Sequence, residues 1–228
     1  MSALKKTFTP FPENDVTSEK GSLRLVNPSS FNQDKKIKTF EKGEVLFREG
    51  ESSKGFYIIL KGAVRAYRAS KNQDKQQTFK IHCVGSWVGL RDSIGGGKYL
   101  HNATALEDTE VQFISESEFR LLLQADPGFR DLVFDRIANE SREAENKIYS
   151  MGTRQVHAQV AEYLLESMNE QGQEIELPFT REVMASIIGV KTETLVRTLS
   201  DLKCRGWIEI DKKKIIVQDK EHLARLLD

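Results

Sequence analysis

Only two of the 228 residues are cysteine and only four are histidine, and the 34 lysines and arginines are balanced by 34 aspartates and glutamates. Each shortage excludes something. Cys83 and Cys204 lie 121 positions apart, so they read as two reduced thiols rather than a disulfide framework or a four-thiolate cluster. The histidines are scattered without zinc spacing, which leaves a metalloenzyme little to work with. No apolar run approaches the roughly 18 residues of a membrane span. The opening "MSALKKTFTPFPENDVTSEKGS" lacks the apolar core and small-residue cleavage site of a signal peptide, so a cytoplasmic protein without membrane contact is expected. Overall neutrality gives no whole-molecule signal for nucleic acid, and residues 152–228 hold 11 basic against 13 acidic residues. A nucleic-acid site, if there is one, must be local.

What is present changes along the chain. Residues 1–34 carry three of the five prolines and show no sustained period, which reads as a mobile arm. Residues 35–125 consist mainly of short apolar runs punctuated by glycine, among them "EVLF", "GFYIILKG", "AVRAYRA" and "QTFKIHCVG". Such spacing predicts many short strands, hence a β jelly roll, barrel or sandwich. Gly43, Gly50, Gly55, Gly62, Gly85 and Gly89 fall at its turns. Near residue 115 the period becomes helical. Ser115 or Ser117 can cap a short helix through Leu123, and Pro127 suits the first turn of a long one that Gly152 would stop. Residues 126–152 are read as a dimerisation helix. Its seam is read as Val133, Ile137, Ala144 and Met151, interrupted by Glu140 and Lys147.

The most informative segment, within residues 153–228, is "FTREVMASIIGVKTETLVRTLSDLKCRGWIEIDKKKIIVQD". Thr180 is a good N-cap, Glu182 sits in the first turn, and Gly189 supplies a left-handed stop after about eight residues. A second helix follows at once, with Thr192 as a possible cap. Leu195, Leu199 and Leu202 form its apolar stripe. Two helices joined by a short glycine turn make a helix-turn-helix, whose second helix fits the major groove. If the leucines face inward, Glu193, Val196, Arg197 and Ser200 face out. Arg197 can then pair with guanine, and Glu193 can accept from cytosine. Thr180, Arg181, Lys191, Thr192, Thr194 and Lys213 are placed to hold phosphates. "WIEI" and "KIIV" flank "DKKK" as a basic wing, and residues 191–214 contain seven Lys/Arg against four Asp/Glu.

These residues, with "FEKGEVLFREGESSKGFYIILKGAVRAYR", resemble the cyclic-AMP receptor protein / fumarate-nitrate regulator (CRP/FNR) family of bacterial transcription factors from about Phe31 onward. The resemblance implies an α+β chain: an N-terminal jelly-roll sensor, a long dimerisation helix and a C-terminal winged helix-turn-helix. It implies a homodimer that binds double-stranded DNA at inverted repeats with TGA-type half-sites, and no enzyme activity. Glu193 and Arg197 match the base-reading pair, whereas Val196 departs from the small or hydroxyl residue often found there. An activator of this type also touches RNA polymerase, although no local motif identifies that surface.

Departures from the family pattern bear on the signal. In "VGSWVGLRDSIGGGKYLHNATAL", Ser86 and Trp87 stand where cyclic-AMP-binding relatives place their acidic ribose ligand, and His101 and Asn102 stand near the place of their phosphate-binding arginine. A buried phosphate without a counter-charge is costly, so ordinary cyclic-AMP control is not expected. The alternative is a cyclic nucleotide in a non-standard pocket. The candidate effector pocket is Val88, Gly89, Leu90, Arg91, His101, Asn102 and Thr104, for a small molecule that the sequence does not identify. Residues 1–40 hold no cysteine, so no iron–sulfur cluster is expected. His82 beside Cys83 reads as a strand histidine next to a buried thiol rather than a haem ligand.

Overall fold

The structure, a computed structural model, describes residues 37–71, 75–95, 97–168, 174–176, 179–212 and 214–227. The expected arm at 1–34 and Lys213 lie outside them. Contacts divide the chain into two compact units. One contains the described residues among 37–68 and 79–145, and the other those among 69–78 and 146–227.

The first unit is built on two four-stranded antiparallel sheets. One sheet is ordered β1 (Ile37–Phe40), β8 (Thr109–Ser115), β3 (Gly55–Lys61), β6 (Trp87–Val88). The other is ordered β2 (Val45–Phe47), β7 (Asn102–Ala105), β4 (Val64–Ala69), β5 (Gln76–His82). This is the jelly-roll pattern the glycine punctuation predicts. All six of the glycines read as turn residues have positive φ. Gly55 has a second constraint, because a Cβ there would lie 2.0 Å from the Ile114 carbonyl oxygen in the neighbouring strand. Between the sheets Phe47, Tyr57, Ile59, Val64 and Val111 form a closed apolar core. A second cluster places Phe56 and Trp87 against Phe119, Phe129 and Val133.

Those last three residues come from helices. Ser115 caps α2 (Glu116–Ala125) in a reciprocal box: its hydroxyl accepts from the Glu118 N–H at 3.4 Å, and Glu118 accepts from the Ser115 N–H at 3.4 Å. The long helix α3 runs Pro127–Thr153, so Gly152 lies inside it rather than ending it. The seam expected on α3 needs correcting. Val133 is 2% exposed and Ile137 packs on the same cluster, so both are committed to their own barrel. Ala144 and Met151 are exposed. The outward stripe is turned by one residue and runs through Phe134, Ala138, Ser141, Glu145 and Ile148. Phe134 and Ile148 on it are 62% and 71% exposed.

In the second unit α4 (Val156–Glu166) buries Ala158, Val160, Ala161, Tyr163 and Leu164. Then come α5 (Arg181–Ile188), α6 (Thr192–Cys204), β10 (Ile208–Asp211), β11 (Lys214–Val217) and α7 (Lys220–Arg225). β10 and β11 pair in antiparallel register from Ile208↔Val217 to Asp211↔Lys214. A third strand, β9 (Glu174–Glu176), joins β11 on its other edge. Three residues are too few to show a period, and β9 has no sequence signature.

Candidate nucleic-acid interface and barrel interior

Helix α5 starts where the chain can cap it. The Thr180 hydroxyl accepts from the Val183 N–H at 3.5 Å, and Glu182 occupies the first turn. Gly189 ends the helix at φ 91°, where its N–H still reaches the Ala185 carbonyl. Only a residue tolerant of that backbone allows α6 to begin three positions later. Leu195, Leu199 and Leu202 are 0%, 2% and 0% exposed, which anchors α6 along one side. Thr198, 4% exposed, joins them. With 3.6 residues per turn, Glu193, Val196, Arg197 and Ser200 then fall on the opposite side, and all four are exposed. Among the described residues neither Glu193 nor Arg197 has an ion pair or a side-chain hydrogen bond. A carboxylate and a guanidinium are therefore held on a rigid helix with their bonding capacity unspent.

The orientation of α6 has supports that lie far apart in sequence. Asp201 faces His157 of α4 at 3.1 Å and accepts from Arg205 Nε at 3.0 Å. The Arg205 guanidinium lies 5.1 Å from the centre of the Trp207 ring, and Trp207 stacks on His222 of α7 at 5.2 Å. Spacing reveals the Asp201–Arg205 pair at i,i+4 but not the partner 44 residues away.

The expected phosphate contacts divide. Lys191 and Thr194 are exposed beside Glu193 and Arg197. Lys191, not Thr192, is the N-cap of α6, and its side chain makes no cap hydrogen bond. Thr192 is the first helical residue and half-buried, which corrects its role as a cap. Thr180 spends its hydroxyl on α5. Arg181 turns partly inward: Nη1 lies 3.6 Å from Met184 Sδ, and burial lowers its pKa from the ordinary arginine value. Lys212 takes φ 51° at the wing turn, and Lys214 pairs with Glu174 of β9.

Inside the barrel, the residues expected to line an effector pocket do not all meet. Val88 and Leu90 are core, at 0% and 1% exposure. Gly89, at φ 85°, starts α1 (Leu90–Ile94), whose Arg91 points out to Glu140 at 3.2 Å. Asn102 accepts from the Glu49 N–H at 3.1 Å and donates to the Tyr67 carbonyl at 3.4 Å. His101 is 9% exposed, edge-on to Phe47, with Nδ1 3.7 Å from Asp92 Oδ2. That separation is too long for a hydrogen bond. Burial holds His101 down at a pKa of about 4, with Arg91 adding to the effect, and pushes Asp92 up. The two are therefore not an ion pair at neutral pH. His82 is buried beside buried Cys83, as the strand reading expects, and burial depresses it well below the ordinary histidine value, helped by Lys80, His101 and Arg91. His82 Nδ1, Asp92 Oδ2, His101 Nε2 and Thr104 Oγ1 are buried without a hydrogen-bond partner among the described residues. Sequence spacing does not link Asp92 to His101, which tertiary packing brings to within 3.7 Å of each other.

The residues that stand at the positions of the family's nucleotide ligands are engaged within the protein. Trp87 is 3% exposed, stacked between Phe56 and Phe129 with Arg136 over its ring at 4.6 Å. Ser86 spends its hydroxyl on the Cys83 N–H. Phe47 and Tyr99 stack with ring centres 3.7 Å apart in the middle of the barrel core. The cysteines do not fit an iron–sulfur cluster. There are two in the sequence where four thiolates are required, one buried in the barrel and one exposed at the end of α6. Among the described residues no helix is long and apolar enough to cross a membrane, and no three His, Cys, Asp or Glu side chains converge as metal ligands.

Comparison with known proteins agrees with this anatomy. Residues 37–126 match the cyclic nucleotide-binding domain, and residues 158–226 match the Crp-like helix-turn-helix domain. The fumarate and nitrate reduction regulatory protein of Escherichia coli is 26% identical over 195 residues, covering 83% of this chain and 77% of that protein. A CRP-like cAMP-activated global transcriptional regulator of Mycobacterium tuberculosis is 24% identical over 192 residues, covering 82% and 85%. Among solved structures, FixK2 from Bradyrhizobium japonicum superposes with a TM-score of 0.76 at 25% identity, covering 84% of this chain and 96% of that one.

Proposed function

Because the chain belongs to the CRP/FNR family of DNA-binding transcription regulators, we propose that it acts as a homodimer on an inverted repeat of TGA-type half-sites, with Glu193 and Arg197 reading the bases. The observation that carries this reading is the split of α6 into a buried leucine side and an exposed side bearing one carboxylate and one guanidinium. Arginine fits guanine O6 and N7 with two hydrogen bonds, and glutamate accepts from cytosine N4. Lys191 and Thr194, with Lys212 on the wing, supply phosphate contacts that fix register without reading sequence. The second copy covers the Phe134–Ile148 stripe of α3, whose exposed positions 134, 138, 141, 145 and 148 alternate steps of four and three. RNA polymerase is a further partner if the protein activates.

The sensor is not under ordinary cyclic-AMP control. The missing acidic and arginine anchors and the Phe47–Tyr99 stack support that reading. The alternative is a nucleotide or other small polar effector in a non-standard site, and the unpartnered buried polar atoms of His82, Asp92, His101 and Thr104 favour it. Selection of bound sequences from a random duplex pool, with and without cyclic AMP, tests the whole proposal. The expected product is an inverted repeat with half-site centres about 34–36 Å apart, unchanged by the nucleotide. A single asymmetric site, or no enrichment unless cyclic AMP is present, would contradict it.

A further inference from the structure

We infer that His157 and Arg205 are positioning residues for DNA reading: together they hold the Asp201 carboxylate away from Arg197, so that the guanidinium stays free for the groove. The inference rests on the base-reading role proposed for Arg197 and names what keeps that side chain available. Residues four apart on a helix are neighbours, and an acid and a base at that spacing pair. Asp201 has an arginine at that spacing on each side, Arg197 before it and Arg205 after it. Only one of the two is taken. Asp201 Oδ2 lies 3.0 Å from Arg205 Nε, whereas among the described residues Arg197 has no ion pair.

Three features favour that choice. In the Asp201–Arg205 pair the acid precedes its base, the better order along the helix dipole, whereas Arg197 precedes the acid. His157 of α4 adds a contact from outside the helix, with Nε2 3.1 Å from the same Oδ2. The Arg205 guanidinium is itself held 5.1 Å from the centre of the Trp207 ring, which stacks on His222. Without these partners the carboxylate would keep Arg197 as its one basic neighbour on the helix. An Arg197 paired with it would have to break that pair before it could hold guanine O6 and N7. The side chains of His157, Asp201 and Arg205 are 43%, 39% and 52% exposed, so their ion pairs add little to folding. Their consequence lies in what they leave unpaired.

The test uses the full chain and the duplex recovered by selection. His157→Ala combined with Arg205→Ala should bind about four-fold more weakly than wild type, about two-fold at each half-site. Adding Asp201→Asn removes the competing charge and should restore that loss. The effect of Asp201→Asn in the wild-type background, where it only removes a negative charge near DNA, is subtracted as in a double-mutant cycle. Either single variant leaves one partner in place and should lose less than the combination. A purely structural role gives the opposite sign, because Asp201→Asn would then restore nothing. A loss that Asp201→Asn does not restore, or no loss from the combination, would overturn the inference. Melting curves matching wild type exclude a folding defect; if the combination melts early, His157→Phe with Arg205→Met, which keep the apolar bulk, enter the same cycle. Failure of the underlying reading looks different: Arg197→Ala would then keep the guanine preference, whereas failure of this inference alone leaves that preference dependent on Arg197.

Discussion

The reading helix and the barrel interior each hold polar side chains without a protein partner, but in opposite surroundings. On α6, Glu193 and Arg197 stand in solvent, where an unspent hydrogen-bonding group costs little because water serves it. In the barrel, His82, Asp92, His101 and Thr104 bear unpartnered atoms away from solvent, where such a group is costly and ionisation is suppressed. The helix therefore presents its charges to solvent, and the barrel keeps its imidazoles neutral. The lesson concerns pairing: exposure allows charge to be kept ready, and burial allows polarity only at a cost that stability must absorb.

That contrast can be broken from either side. The largest effect is expected on the buried side of α6, where Leu199→Ala should destabilise the second unit by about 2–5 kcal/mol, read as a lowered denaturation midpoint. Val196→Ala, one turn away on the exposed side, should stay within about 0.5 kcal/mol of wild type. Equal losses from the two would erase the distinction between the sides. The barrel is probed by pH. His101 has a folded pKa of about 4 against an ordinary value of 6.5, so its neutral form supports the fold fully above 6.5, and that support is lost as pH falls toward 4. The loss is about 3 kcal/mol at most, at 1.36 kcal/mol for each unit of difference. Asp92, pushed upward, works in the opposite direction and offsets part of it at the acid end. His101→Gln should flatten the acid limb of the stability curve measured by urea titration at stepped pH, and an unchanged limb would mean that another group carries it. The smallest effect belongs to a phosphate contact. Lys191→Ala should weaken all duplexes alike and reduce the salt dependence of binding by about one unit of slope.

How far the sequence led depended on the range of the interaction. The turn at Gly189, the Thr180 cap and the three buried leucines were legible because each is settled within a few residues by backbone preference or helical period. The glycine punctuation of the barrel was legible for the same reason. The outward side of α3 was not. That helix carries two apolar stripes about 100° apart, and only the barrel decides that Val133 and Ile137 belong to itself while Phe134 and Ile148 remain outside. Likewise β9, the His157–Asp201 contact and the approach of Asp92 to His101 depend on tertiary structure, which no local spacing encodes.

The most direct test of the account is a parallel selection of duplexes by wild type and by Arg197→Ala, scored position by position. The account predicts that one guanine per half-site loses its preference in the variant, with a cost of about 1–3 kcal/mol per half-site on the best wild-type sequence, while the remaining positions keep theirs. An unchanged preference at every position, with affinity merely scaled down, would contradict it.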